Sequence, residues 1–199
     1  MSGAELDAAL RALAAGEVVG IPTDTVYGLA VDPSRPRAVD ALFALKTRPG
    51  TVEIPLLVAD LAQADTVALL EGPARCLAER RWPGGLTIVV PRRPGVDWPL
   101  GGDGTSVGVR CPAHDLVRAL CARAGPLAVT SANLHGQPPL HEAAALRAAF
   151  GDGLAAVVDG GTCEGDPSTV VDVRSVPPRC LRRGSVPWEE VLAALDEAR

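Results

Sequence analysis

Short β-branched runs alternate along this chain with longer Ala- and Leu-rich segments of helical period, and that alternation leaves few folds open. Val18 to Ile21, Ile54 to Ala59, Leu86 to Val90 and Ser106 to Arg110 read as strands, as do Leu127 to Val129, Ala155 to Val158, Thr169 to Val173 and Cys180 to Arg182. Another apolar run ends at Val31 after the turn-like stretch Pro22 to Gly28. Helices fall between them. Ser2 and Glu5 have capping-box spacing ahead of Leu6, Leu10 and Leu13, and Gly16 closes that segment. Arg37 to Lys46 carries Val39, Leu42, Phe43 and Leu45 at helical spacing. Asp60 reads as an N-cap for Leu61 to Leu70, and Pro73 opens a helix that stops near Trp82. Asp115 to Ala124, Glu142 to Phe150 and Pro187 to Ala198 complete the set. The two kinds of element mix without a strict βαβ rhythm, so the expected architecture is α/β, with helices packed on a mixed sheet.

Residues 1–199 are expected to form a single domain, because a chain of this length with 47% hydrophobic residues can bury one sizeable core. The Gly- and Pro-rich stretch Pro94 to Gly104 reads as a mobile loop, since the strand pattern continues on both sides of it. A net charge of −5 argues against an extended nucleic-acid face and leaves room only for a local basic cleft. No apolar run approaches the roughly 20 residues of a membrane span, and nothing resembles a signal peptide, so a cytoplasmic protein without membrane contact is expected. The five cysteines form no C-x-x-C pair and should be reduced and mostly buried; with three histidines there is no zinc pattern, and no residue is assigned as a metal ligand. His114, His135 and His141 stand in turn-like contexts that suit surface or capping roles.

Positive charge is carried by arginine everywhere but once: Lys46 is the single lysine among 19 basic residues, two positions before Arg48. An ammonium suits an anion approached from several directions, whereas a guanidinium offers a planar fork. From composition alone, a solvated helix end complementing the dipole explains Lys46 equally well. Other polar groups also gather at strand ends: Thr23, Asp24 and Thr25 with Tyr27, Ser106 with Arg110, Ser131 with Asn133, and Ser168 and Thr169 with Arg182. Strand ends of an α/β sheet converge on one edge, where hydroxyls, amides and cations can recognise phosphates and a small carboxylated substrate. No nucleophile stands beside a base, and the Gly pairs match neither a P-loop nor a dinucleotide fingerprint.

Seven ordered blocks carry a resemblance. They are GIPTDTVYGL at 20–29, Lys46-x-Arg48-Pro49, GGLT at 84–87, VGVR at 107–110 with Pro112, TSAN at 130–133, STVVD at 168–172 and LRRG at 181–184. In this order they resemble the YrdC/TsaC family of threonylcarbamoyl-adenylate synthases, which includes the YciO and YwlC proteins. The resemblance implies a twisted mixed sheet flanked by helices with a concave cleft. It implies synthesis of L-threonylcarbamoyl-adenylate from threonine, bicarbonate and ATP with Mg²⁺, to supply a modified adenosine in tRNA. A transferase partner in that modification is implied, and any RNA affinity should be weak.

By the same resemblance, Lys46 and Arg48 are the catalytic cations, and ATP contacts fall on Arg48, Ser106, Ser131, Asn133 and Arg182. Threonine contacts fall on Thr25, Arg110 and Ser168, with Thr23 and Tyr27 beside them. Two departures from the family pattern stand out. The loop after Pro49 is about two residues longer and places Ile54 where a polar residue should touch ATP. Ala59 occupies a position that holds a pocket histidine in some members. The alternatives these departures raise are a nucleotide- or RNA-binding paralogue without the activity, and a carbamoyl-adenylate enzyme with another acceptor.

Overall fold

The structure is a computed structural model that describes residues 3–46, 52–134 and 136–196. Along the chain run α1 (Gly3–Ala15), β1 (Val19–Ile21), β2 (Gly28–Val31), α2 (Pro36–Lys46), β3 (Leu56–Leu57), α3 (Leu61–Ala64), α4 (Pro73–Arg81), β4 (Leu86–Pro91) and β5 (Ser106–Arg110). There follow α5 (Asp115–Ala124), β6 (Leu127–Ser131), α6 (Ala143–Phe150), β7 (Ala156–Val157), β8 (Thr169–Asp172), β9 (Arg179–Arg182) and α7 (Trp188–Asp196). All the strands join one sheet in the order β7-β1-β2-β6-β3-β5-β4-β8-β9. The sheet is mixed: β7, β3 and β8 pair in parallel with β1, β5 and β4, and the remaining pairs are antiparallel.

Strand alternation sorts the side chains onto two faces. Leu29, Val31, Leu86, Ile88, Val107, Val109 and Val171 point to one face and build the larger core with Val39 and Leu42 of α2, Leu77 of α4, Leu146 of α6 and Val191 of α7. The opposite face is divided. Under α1 and α5 it is apolar: Val19, Ile21, Ala30, Leu57, Leu127 and Val129 meet Ala9, Leu13, Val117 and Leu120. Beyond β3 the same face turns polar, presenting Thr87 and Val89 of β4 and Ser106, Gly108 and Arg110 of β5 to a cleft.

Several elements are shorter than their sequence patterns suggest, each for a local reason. The helix from Leu61 stops at Ala64, although Asp60 caps it as expected, its side chain accepting from Gln63 N at 2.8 Å. Thr66 and Val67 are β-branched and prefer the extended chain, and the Leu69 and Arg93 amides bond to Pro91 and Val67 carbonyls beside the end of β4. Only Leu56 and Leu57 of the 54–59 run make ladder pairs, because Pro55 has no donor and the Ile54 amide is taken by the Leu100 carbonyl at 2.8 Å. The 94–104 stretch runs largely exposed between two anchors. Leu100 is fully buried, and Arg92 Nη1 donates to the Trp98 carbonyl at 2.8 Å, which pins the loop at its middle. The five cysteines are free thiols. Burial pushes Cys121 up to about 12 and Cys111 up to about 11, which leaves both unreactive.

Candidate active site

The cleft on the open half of the sheet has two compartments that share Pro55, Thr87 and Arg182. The inner one, of about 110 Å³, lies at the ends of β2, β5 and β6 and is lined by Thr23, Thr25, Tyr27, Arg110, Ser131 and Ser168. The outer one, of about 630 Å³, lies over β4, β8 and β9 and is lined by Glu53, Val89, Ser106, Val170 and Leu181.

Arg110 anchors the inner compartment. It is only 5% exposed, and its guanidinium donates through Nε to the Gly84 carbonyl at 2.9 Å, through Nη1 to Thr25 Oγ1 at 3.0 Å and through Nη2 to Asp24 at 2.6 Å. Burial pulls the guanidinium pKa down while the Asp24 charge opposes it, and an arginine so paired stays protonated. Three of its five N–H groups are spent on these bonds, which aims the other two. The hydroxyl inventory then fixes a direction. Thr23 Oγ1 donates to the Val26 carbonyl at 2.7 Å, so the 2.9 Å contact between Thr25 and Thr23 must be donated by Thr25. The chain Arg110 to Thr25 to Thr23 to Val26 is therefore fully polarised. Thr23 serves it by holding the turn, with its hydroxyl committed.

Tyr27 is likewise committed. It is fully buried, donates to the Gly161 carbonyl at 2.9 Å and accepts from the Gly160 amide at 3.1 Å. It positions the glycine loop against the turn: a Cβ on Gly160 would stand 2.5 Å from Pro22.

Lys46 is not the solvated helix end that composition allowed. It ends α2 at 3% exposure, and Nζ donates to the Ser131 carbonyl and to Asn133 Oδ1, the latter at 2.7 Å. Ser131 Oγ donates to the same Asn133 oxygen at 2.7 Å, while Asn133 Nδ2 holds the Gln137 carbonyl at 2.8 Å. The lysine and the Ser-Ala-Asn turn, 85 residues apart, thus form one unit. Arg48 and His135 lie outside the described residues. On the shared wall, Arg182 donates through Nε to the Ser168 carbonyl at 2.9 Å and through Nη2 to Ser168 Oγ at 2.8 Å, and Thr87 Oγ1 meets the same hydroxyl at 2.9 Å.

The two departures read from the sequence fall elsewhere than expected. Ile54 is fully buried in the larger core and forms no part of the cleft wall. The preceding residue, Glu53, faces the cleft, held there by the Gly108 amide and Ser106 hydroxyl, so the polar wall is displaced by one position and acidic. Ala59 packs in the cluster under α5, its amide donating to Gln63 Oε1 at 2.7 Å, and it does not line the inner compartment. Asp24, Glu53 and Thr87 are functional candidates that sequence reasoning did not assign. Arg110 was legible as a site residue, but its pairing with Asp24, 86 residues away, and the bond of Glu53 to the Gly108 amide, 55 residues away, were not. His114 stands at the N-cap of α5 without a side-chain capping bond, and burial lowers its pKa. Exposed His141 bonds the Cys163 carbonyl through Nδ1. Among the described residues no group of three or more His, Cys, Asp or Glu could hold a metal.

Comparison with known proteins places the cleft in context. A family profile for Sua5, YciO and YrdC, described as "Telomere recombination", matches residues 11–184. A putative threonylcarbamoyl-AMP synthase of Mycobacterium tuberculosis is 37% identical over 189 residues, covering 94% of this chain and 87% of that protein. The threonylcarbamoyl-AMP synthase of Bacillus subtilis is 36% identical over 90% of this chain and 53% of its own length. Pyrococcus abyssi Sua5 complexed with L-threonine superposes with a TM-score of 0.91 at 33% identity, over 96% of this chain and 57% of that one. Escherichia coli YciO shares the fold, with a TM-score of 0.85 at 22% identity over 92% and 90% of the two chains. The chain thus spans most of the mycobacterial relative and a little over half of the Bacillus and Pyrococcus proteins.

Proposed function

The chain belongs to the Sua5/YciO/YrdC family, and from that premise we propose that residues 1–199 act as one domain that makes L-threonylcarbamoyl-adenylate from threonine, bicarbonate and ATP, releasing pyrophosphate. The observation that carries this reading is the small pocket built around Arg110 and sharing the Arg182 wall with a much larger one. An amino acid and a nucleotide would meet at that wall. The threonine complex of the Pyrococcus relative supports the assignment of the smaller compartment.

In this reading the α-carboxylate of threonine takes the two N–H groups of Arg110 left by Asp24, Thr25 and Gly84, and Ser168 orients the amino group. The amine attacks bicarbonate to give a carbamate and water. A carbamate oxygen then attacks the α-phosphorus of ATP, and the bond to the bridging oxygen breaks to release pyrophosphate. Negative charge builds on the phosphoryl oxygens, so Lys46, Arg48 and Arg182 act by electrostatic stabilisation. Ser131 and Asn133 fix the Lys46 ammonium beside the phosphates, Ser106 meets the nucleotide from the outer compartment, and catalysis is mainly alignment of three reactants without a covalent enzyme intermediate. Mg²⁺ enters on the triphosphate as part of the substrate, which fits a cation that keeps its waters and is held chiefly by phosphate oxygens.

The product is an activated mixed anhydride, so the reaction needs an acceptor enzyme that transfers the threonylcarbamoyl group to tRNA. With a net charge of −5 this chain holds RNA weakly itself. Free thiols fit a cytoplasmic setting, and no helix among the described residues is long and apolar enough to cross a membrane. Pyrophosphate release from ATP is expected only when threonine and bicarbonate are both present. Release that is independent of either one would refute the reading.

A further inference from the structure

The outer compartment contains an acidic group for which the reaction above has no use. Glu53 Oε1 accepts from the Gly108 amide at 2.8 Å and Oε2 accepts from Ser106 Oγ at 3.1 Å. The first bond exists because β3 reaches only Val109 and Arg110 of β5, so the Gly108 amide looks past the end of that strand and is met by a side chain. Gly102 closes over the carboxylate so tightly that a Cβ there would stand 3.1 Å from Oε2. Among the described residues Gly108 and Ser106 hold Glu53 and Gly102 covers it, so its position is fixed by the fold.

This placement polarises the cleft. Arg110 lines the inner compartment, Lys46 is bonded to its wall residue Ser131, and Arg182 stands on the wall that both compartments share; Glu53 and Asp103 line the outer one, where Arg174 is already engaged by both oxygens of Asp172 at 3.0 and 2.9 Å. A nucleoside triphosphate has one strongly anionic end and one neutral end. Its phosphates therefore belong inward, and its nucleoside lies over the apolar floor of Val89, Val170 and Leu181. A carboxylate cannot donate to a phosphate, but it has about four acceptor positions and recognises hydroxyl donors. On a nucleoside those donors are the ribose 2′ and 3′ hydroxyls, the groups that acidic side chains accept from in other nucleotide sites.

We propose that Glu53 is a specificity-determining residue of this cleft, accepting a hydrogen bond from the ribose diol and so selecting ribonucleotides over deoxyribonucleotides. The inference rests on the ATP-using reading of the site but is measured apart from it. Binding of ATP, 2′-deoxy-ATP and 3′-deoxy-ATP is followed by calorimetry for the wild type, Glu53→Gln and Glu53→Ala, beside pyrophosphate release with threonine and bicarbonate. The wild type should bind ATP roughly 10- to 100-fold more tightly than at least one deoxy analogue, the range of a hydrogen bond to a charged group. Glu53→Ala should weaken ATP to the level of that analogue and leave the analogue within about twofold, with near-isosteric Glu53→Gln in between; these variants remove a hydrogen bond to a charged acceptor. A wild-type ratio near one overturns the inference without any variant. So does an unchanged ratio in Glu53→Gln, or equal tightening of all three ligands, which would make Glu53 a plug that nucleotides displace. Discrimination in binding without threonine-dependent pyrophosphate release supports the ribose contact and sinks the synthase reading; threonine-dependent release equally fast with every analogue does the reverse.

Discussion

The two halves of one sheet face make the most instructive comparison in this molecule. On β1, β2 and β6 the face carries Val19, Ile21, Ala30, Leu127 and Val129 beneath α1 and α5; on β5 and β4 it carries Ser106, Gly108, Arg110 and Thr87 with the cleft above. Backbone geometry and alternation are the same on both sides. Only the cover differs, and the residue types follow it: apolar where a helix removes water, polar where a substrate must be able to replace it. The first half contributes stability and the second contributes recognition. Substitutions should therefore separate the two properties.

The largest effect is expected at Arg110, where the halves meet. Arg110→Ala leaves the partly buried Asp24 carboxylate, 15% exposed, without its partner, and the loss of stability should fall below the about 3–5 kcal/mol of a fully buried pair. Threonine-dependent pyrophosphate release should fall by about 10³-fold, the upper range for a lost preorganised donor. Denaturant melts and steady-state assays on the same preparation test both, and a stable variant with normal threonine dependence would detach Arg110 from the site. Lys46→Ala comes next. Its turnover should fall about 10²-fold. The acceptors on Ser131 and Asn133 that it leaves should cost about 1–3 kcal/mol more. Lys46→Arg should not restore turnover, because a larger planar group must enter a site that is 3% exposed.

Leu120→Ala probes the covered half alone. Leu120 is fully buried on the inner face of α5, so its truncation should cost about 2–5 kcal/mol. Turnover per folded molecule should stay within about twofold, since distant independent sites add. A collapse of activity in the folded variant would break the division between the halves. The smallest effect is a pH slope from Glu53. Burial raises its folded pKa above the ordinary value of 4.5, so the folded protein binds more protons than the unfolded chain between the two values. Stability should then decline as pH rises through that window, and level off above it. Glu53→Gln should lose this slope in melts taken across the window, which sharpens the assignment of the outer half as a strained, functional surface.

These halves were unequally legible in the sequence. Continuous apolar runs and helical periodicity placed nearly every element, because the strands of the covered half are apolar on both faces. The failures are local: β-branched Thr66 and Val67 ended a helix whose apolar positions ran on to Leu70, and buried Leu100 anchored a loop that Gly and Pro made look free. In the open half the residues were visible and their partners were not. Lys46 stood out as the single lysine, yet its bonds to Ser131 and Asn133 bridge 85 and 87 residues, and only the resemblance paired them. Val52, Glu53 and Pro55 all line the outer compartment while Ile54 between them is buried, and these residues precede β3 in a segment whose sequence carries no strand period to show which side chain faces the cleft. The role of Arg48 still rests on the resemblance.

Arg182 forms part of both compartments while its Nε and Nη2 hold Ser168. A guanidinium shared in this way couples the two ligands thermodynamically. Whichever reactant arrives first restricts the side chain, and the second meets a wall whose ordering cost has already been met. Reciprocity then requires that threonine tighten ATP by the same factor by which ATP tightens threonine, so that the ternary complex is more populated than two independent affinities would allow. Cooperative assembly of the reactants, in either order, would thus follow from one arginine's geometry.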